Sequence, residues 1–518
     1  MKRFLQRMGA RVAGVLHGFD RLRFRGSKRQ LSHVAGLMCW LGFARIPLKE
    51  FRLFARDTTA ALCQSIEAPA EAAGVFEYVN NLQASKEEAA LAIARRHGRR
   101  EGLIAVLSCV EPCQTMQVRG NPKTKLLELR SEPARCKHYY HYYLDPVYGL
   151  RYTRLQTWFP FTMHVGLNGR EWLARQMTRA GIEFVQKDNC FTWIEDFARA
   201  QKLAEKQLTT AWSRLLDRWA NESCPLLFSP LLKGTLPYYW SMEAGEYATD
   251  LAFRSADDLA SLYPRLVHYA QTVLHGTDVL RFMGYRARRD GRPPVNLMDE
   301  IRTSVKEFVE GTRIKHFVSG NSVKMYDKFG QVLRVESQLA DLRHFKVYRA
   351  LEGQDDGPKE YRRLRQGVAD VHGRAEINQT INERYVAGLA NVEETIPLAE
   401  LTKDLGRRRQ WQGKTVRALN PLAPEDVALL EAIGHGEDAI NGFRNRDVRQ
   451  RLFGDAPVAE RKRQSAKVTR LLRLLRGHHL IAKVPKTHRY QMTEHGRKCI
   501  AAILSARNAA TQELLLAA

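Results

Sequence analysis

The sequence predicts an α+β chain of several domains. Its length, a change of hydrophobic texture along it, and an uneven placement of charge carry that expectation. The 518 residues exceed what one ordinary hydrophobic core organises. Apolar residues make up 44% and charged residues 27%, a globular balance with no long stretch too poor in core formers to fold. The texture reads as a basic helical region over 1–105, then β-rich and later helical over 106–235. It is mixed over 236–400, and returns to short helices over 415–505.

Charge narrows the function classes. Lys and Arg number 82 against 56 Asp and Glu, a net +26 that makes polyanions the expected partner, DNA first and RNA as the alternative. Residues 1–60 hold 13 basic against 3 acidic side chains and residues 440–498 hold 16 against 4, which leaves +4 for the other 399. Eight scattered cysteines do not form the dense framework of a small secreted protein, so a reducing cytoplasm is expected. The apolar run from Val34 to Ala44 is broken by Arg45 and covers about half of the ~20 residues a bilayer needs, so no membrane partner is expected. The first 19 residues are Arg-bearing and acid-free like a transit peptide, yet they run into RLRFRGSKR without a cleavage-like break and are read as structure.

The elements follow in order. EEAALAIARRHG places Ala and Ile on one helical face. KHYYHYYLDPVYGLRY, rich in tyrosine, reads as two strand-like runs about a Tyr148-Gly149 turn. TMHVGLNGREWLARQMTRAGIEF reads as a strand, a tight turn at Asn168-Gly169, a helix from about Arg170 and a stop at Gly181. From Asp196 onward Phe197, Ala200, Leu203, Leu208, Ala211, Leu215 and Trp219 recur at helical spacing and predict core. YATDLAFRS (247–255) reads as a strand, and the following SADDLASLYPRLVHYAQTVL as a helix opened by Ser255 with acids in its first turn. RARRDGRPP (286–294) reads as a loop, and 313–339 as two antiparallel strands with Phe329-Gly330 at a turn.

The clearest motif lies in 420–505. Pro424, Glu425 and Asp426 open a helix, INGFRNRDVRQRLF gives a second, and KRQSAKVTRLLRLLRGHHLIAKV a longer third with a basic face. Two short strand-like runs follow in VPKTHRYQMTEHG. This stretch of about 85 residues resembles a winged helix of the MarR type. Leu471, Leu472, Leu474 and Leu475 would pack inside, while Arg461, Lys462, Arg463, Gln464, Ser465, Lys467, Thr469 and Arg470 would face a groove. Lys486 and Arg489 on the wing would reach phosphate, and Gln464, Ser465 and Thr469 could hydrogen-bond base edges. A winged helix that contacts RNA or protein instead is the alternative.

Residues 247–350 carry the one pattern that reads as catalytic. Asp250 on a strand is followed by a helix, then Tyr326, Asp327 and Lys328, then Arg334 to Glu336, then Tyr348, the order of half an RRM-like sheet. The stretch resembles the Rep_trans class of rolling-circle replication initiators of plasmids and filamentous phages. That resemblance implies that Asp250 and Glu336 hold a divalent metal, Mg2+ or Mn2+. Lys328 would neutralise the scissile phosphate, Tyr348 would attack it, and Tyr326 would stand beside the site. A phenol with a pKa near 10 needs such help at neutral pH. The same side chains also read as ordinary cross-strand partners, and Tyr326 as core.

Other clusters carry less. Cys109, Cys113, Cys136 and His138 could supply four zinc ligands, but their spacing is irregular and zinc is not expected. Tyr139, Tyr140, Tyr142, Tyr143, Tyr152, Trp158 and Phe159, interleaved with Lys137, Arg151 and Arg154, read either as core or as a platform for unpaired bases. Arg21, Arg23, Arg25, Lys28 and Arg29 form a phosphate patch or a solvated loop. No P-loop, HExxH, GxSxG or His-hydrophobic-His metal motif is present, and HYYH (138–141) has the wrong spacing for the last. The expectation is a nucleic-acid-binding protein of a mobile element, a replication initiator or transposase-like enzyme that nicks one strand. The alternative is a regulator or ribonucleoprotein component without catalysis.

Overall fold

The computed structural model describes residues 1–80, 85–229, 232, 234–274, 276–285, 301–308, 311–350, 357–393, 398–434, 442–485 and 487–509. The chain is α+β. It opens with α1 (Lys2–Met8), β1 (Val12–Ser27), α2 (Val34–Phe43), α3 (Phe51–Ala72), β2 (Phe76–Tyr78) and α4 (Lys86–Arg96). Next come β3 (Gly102–Gly120), β4 (Leu127–Asp145), β5 (Gly149–Gln156), β6 (Met163–Asn168), α5 (Gly169–Arg179), β7 (Phe184–Lys187) and β8 (Cys190–Ile194). Then α6 (Phe197–Glu205), α7 (Trp212–Ser223), β9 (Tyr239–Phe253), α8 (Ala256–Thr272), α9 (Gly276–Phe282), β10 (Arg302–Phe308), β11 (Gly311–Val318), β12 (Asn321–Lys328) and β13 (Val332–Gln338) follow. The remainder holds β14 (Lys346–Arg349), β15 (Glu360–Arg363), α10 (Val371–Leu389), α11 (Leu398–Thr402), β16 (Arg409–Trp411), β17 (Lys414–Val416) and α12 (Pro424–Ile433). Last are β18 (Phe443–Arg444), α13 (Asn445–Phe453), α14 (Val458–Gly477), β19 (Ile481–Lys483), β20 (Arg489–Met492) and α15 (Glu494–Asn508). Among the described residues no helix is long and apolar enough to cross a membrane.

Local chemistry sets several boundaries. Ser85 Oγ accepts the Glu88 N–H at the start of α4, Asn168 Oδ1 accepts those of Arg170 and Glu171 at α5, and Ser255 Oγ accepts that of Asp258 at α8. The β11–β12 and β12–β13 turns are Ser319-Gly320 and Phe329-Gly330, all four with positive φ. The segment expected to form two strands therefore forms three. The loop expected at 286–294 lies outside the described residues.

Two compact units result, neither contiguous in sequence. One comprises Val12–Arg254 with Asp327–Asn382, the other Met1–Arg11, Ser255–Tyr326 and Glu383–Ala518. In the first, strands run in the order β13, β9, β1, β6, β5, β4, β3, β2, with β2 parallel to β3 and the other neighbours antiparallel. One face packs Phe19, Leu22 and Phe24 of β1 with α2, α3 and α7, including a 4.7 Å ring contact from Phe24 to Trp212. The other face packs Leu16 of β1 against α5 and α6. The second unit contains the β10–β11–β12 ladder and a separate core of Leu429, Leu430, Val448, Val468, Leu472, Leu475 and Ile500.

The expected helical region over 1–105 needs correction, because β1 is a 16-residue strand between β6 and β9. Leu22 and Phe24 are buried while Arg21, Arg23 and Arg25 between them are exposed, which is the period of a strand and not of a helix.

Candidate functional site

Strand register builds one row of side chains on the face that also carries α5. Arg23 lies opposite Gly166, Gly166 opposite Tyr152, and Tyr152 opposite Tyr142. The next row is Arg25, His164, Arg154 and Tyr140. Gly166 has no substitute at this position without movement, because a Cβ there would stand 2.2 Å from the Tyr152 ring. The rings of Tyr142 and Tyr152 are 5.7 Å apart at 41°. With Arg21, Glu87 of α4, Glu171 of α5, Asn168, Glu246 and Gln338 they bound a cleft of about 340 Å3, in the range that takes a nucleotide-sized ligand.

A chain of polar contacts fixes this face. Arg154 donates to Glu111 at 2.7 Å, and Tyr140 donates to the same carboxylate at 2.9 Å. Lys86 pairs with Glu111 at 3.1 Å. Arg154 also meets His164 at 3.1 Å, His164 meets Glu243 at 3.4 Å, and Arg23 pairs with Glu243 at 2.8 Å. Burial opposes ionisation of Glu111, but Arg154, Lys86 and Tyr140 outweigh it and bring its pKa down to about 2.

Next to the cleft lies a buried charged cluster. Across β1, β9 and β13 the register sets Leu16, Asp250 and Arg334 in one row, Gly18, Ala248 and Glu336 in the next, and Arg21, Glu246 and Gln338 in the third. Between Phe19, opposite Tyr247, and Arg21, opposite Glu246, the register shifts, so Asp20 is the bulged residue of β1. Arg334 donates to both oxygens of Asp250, at 2.6 and 2.8 Å, and Arg170 of α5 pairs with Asp250 at 3.0 Å. Burial raises the Asp250 pKa, and the two guanidiniums bring it below the ordinary value. Asp20 Oδ2 accepts from Asn189 at 2.6 Å and from Arg334 at 3.3 Å, while Oδ1 is buried with no hydrogen-bond partner. Its carboxyl is pushed up by burial, held down by Arg334 and Arg170, and raised again by Glu336 and Asp250, with a net upward shift. One oxygen each from Asp20, Glu246 and Glu336 lies within 4.8 Å of the other two.

The residues singled out in the sequence fall in different places. Glu336 joins this cluster, whereas Asp250 has both oxygens engaged by arginine, so the expected Asp250–Glu336 metal pair is replaced by a structural ion pair and a separate carboxylate group. Lys328 is buried beside Asp188 at 3.5 Å and over the Phe329 ring. Tyr326 stands on β12 opposite Arg313, with Lys324 over its ring. Tyr348 belongs to the two-stranded β14–β15 ladder, 61% exposed and opposite Tyr361. Neither Tyr348 nor Lys328 lines the cleft.

Of the first basic patch, Arg21, Arg23 and Arg25 share one face of β1, and Arg29 stacks at 3.4 Å on Tyr239. Lys28 departs from the expectation of a phosphate contact. It is buried, donates to Thr235 at 3.2 Å, and has its pKa pushed down to about 8 by burial against the pull of Asp217. The aromatic run divides likewise: Tyr139 is core and donates to Glu67, whereas the cleft is lined by half-buried Tyr152 and by Tyr142, which is itself buried in the core. Cys113 and Cys136 approach to 3.1 Å with His138 beside them, and Cys109 is turned to Glu111 instead.

In the second unit Arg461, Lys462, Arg463, Lys467, Thr469 and Arg470 are exposed on α14, and Leu472, Leu474 and Leu475 are buried beneath. Ser465 and Thr469 are tied to α13: Ser465 Oγ donates to Asn445 Oδ1 at 2.8 Å, and Asn445 Nδ2 donates to Thr469 Oγ1 at 2.9 Å. Gln464 accepts from Arg449 at 3.5 Å. These three side chains orient α14 on α13, a use the sequence spacing did not indicate. Arg489 on β20 donates to the Gly442 carbonyl at 3.2 Å, and Lys486 lies outside the described residues.

Asp20 and Glu246 were missed at the sequence level. Their signal is present in hindsight: Phe19 and Leu22 are three apart in a period-two run, the mark of a bulge, and Glu246, Ala248 and Asp250 alternate on one strand face. No family model, curated protein or solved structure matches this chain.

Proposed function

We propose that this chain is a nucleic-acid-binding protein of a mobile genetic element that docks on duplex DNA through a C-terminal winged helix. The exposed basic stripe of α14 carries the reading: Arg463, Lys467 and Arg470 follow one another at helical spacing on the side opposite buried Val468, Leu472 and Leu475. Support comes from the order α12, β18, α13, α14, β19, β20 and from the β18–β20–β19 sheet, which places a hairpin directly after the basic helix. Titrating a labelled duplex with the full chain and with the triple variant Arg463→Ala, Lys467→Ala, Arg470→Ala tests it. Affinity should fall by about tenfold or more, and the slope of log affinity against log salt should shrink by roughly 2 to 3. Equal affinity and slope would place duplex recognition elsewhere.

A second reading, strand cutting, is favoured by the cleft of the other unit. Arg21 and Arg23 beside Tyr142 and Tyr152 offer charge for phosphate and rings for unpaired bases. The nucleophile implied by the resemblance to the Rep_trans class, Tyr348, stands on the β14–β15 ladder outside the cleft lining, so its part in cutting is tested separately from the cleft. Tyr348→Phe separates the two: lost cutting supports the tyrosine, and undiminished cutting removes it.

A further inference from the structure

We propose that Asp20, Glu246 and Glu336 form a binding site for one hard divalent cation, Mg2+ or Mn2+, beside the cleft. Three strands contribute one carboxylate each, β1, β9 and β13, and their oxygens lie within 4.8 Å of one another. Oxygens that share one ion at about 2.0–2.6 Å stand roughly 3 to 5 Å apart, so small side-chain rotations close the set. The donors are all oxygen, which suits Mg2+ and Mn2+ and disfavours softer metals.

Asp20 supplies the independent observation. It is 1% exposed, its Oδ2 is held by Asn189 and Arg334, and its Oδ1 is a buried acceptor without a hydrogen-bond partner. A buried carboxylate oxygen left without a donor is costly, and a cation at that position satisfies it. The bulge in β1 is what brings Asp20 there: the extra residue between Phe19 and Arg21 re-aims the strand at that point. Asp250 is not a ligand. Held by Arg334 and Arg170, it anchors the guanidinium that in turn positions Asp20.

Glu246 also lines the cleft, so a cation held here would sit within reach of a phosphate placed against Arg21 and Arg23. That use rests on the strand-cutting reading above, whereas the site itself is tested on the protein alone. Mn2+ is titrated into the full chain, and the loss of the free-ion electron paramagnetic resonance signal is followed, with Mg2+ as competitor. One Mn2+ per chain, displaced by Mg2+, is expected. Glu336→Gln should weaken binding at least tenfold, as should Glu246→Gln, whose half-buried position makes it the variant that keeps the fold. Cys136→Ser should leave binding unchanged, which separates this site from the thiols near His138. Absence of Mn2+ binding at millimolar concentration overturns the proposal, as does binding that both glutamate variants leave intact or that Cys136→Ser removes. Normal Mn2+ binding without strand cutting would sink the cutting reading and leave the cation site standing.

Discussion

Single residues decide how the cleft is held. Glu111 is ionised against the pull of burial because Arg154, Lys86 and Tyr140 surround it. Its folded pKa of about 2 lies well below the ordinary glutamate value, so the stabilisation is fully present above that ordinary value and is lost as pH falls toward 2. The size is on the order of 3 kcal/mol. Thermal melts from pH 2.5 to 7 should show Glu111→Gln strongly destabilised at neutral pH and close to the parent at the acid end. A constant difference across that range would mean that the carboxylate charge is not what Glu111 contributes. Gly166 controls space instead of charge. In Gly166→Ala the outer edge of the Tyr152 ring must swing away, at a cost of roughly 1–3 kcal/mol. Binding of a labelled single-stranded oligonucleotide should fall several-fold while the circular dichroism stays unchanged. Retained affinity would show that the ring pair does not contact the strand.

At the scale of elements, the structure explains which parts of the sequence could be read. Helix α5 was legible because Asn168 caps it and Gly181, with φ +64, ends it. The β4–β5 hairpin was legible from its dense tyrosines about the Tyr148-Gly149 turn, and α8 from Ser255 followed by acids. Strand β1 was not, because a row of arginines on an interior strand looks like a solvated loop until the neighbours supply the second half of the pattern. The same limit applied to the site. Glu336 and the arginines of β1 were visible as chemistry, whereas Asp20, Glu246 and Glu336 come together only through pairings between residues more than 80 positions apart. Conversely, Asp250 looked like a ligand because nothing local shows that Arg334 and Arg170 bind it. The exposed stripe of α14 needed no such partners, since helical spacing alone puts Arg463, Lys467 and Arg470 on one side.

For the whole molecule, a net charge of +26 is a statement about association. Isolated at low salt with nuclease omitted, the chain should carry nucleic acid, visible as an absorbance ratio dominated by 260 nm and removed by roughly 1 M salt. Sequencing the bound material separates the hypotheses: a discrete RNA favours a ribonucleoprotein, and DNA enriched for one locus favours an initiator. A clean preparation at low salt would contradict the electrostatic reading of both basic segments.

The central position of β1 also bears on how the chain is made. Its two neighbours, β6 and β9, end at Asn168 and Phe253, so the strand is synthesised well before either partner exists. At about 5–20 residues per second, on the order of 10 to 50 s separate the emergence of β1 from that of β9. During that interval the nascent segment displays Phe19, Leu22 and Phe24 with open backbone on both edges, a template for misassociation. Arg21, Arg23 and Arg25 between them repel a second copy of the same segment. Arg21 and Arg23, which later line the cleft, thus also act with Arg25 as guards for the waiting strand, and replacing the three with uncharged residues should lower soluble yield before it touches any binding step.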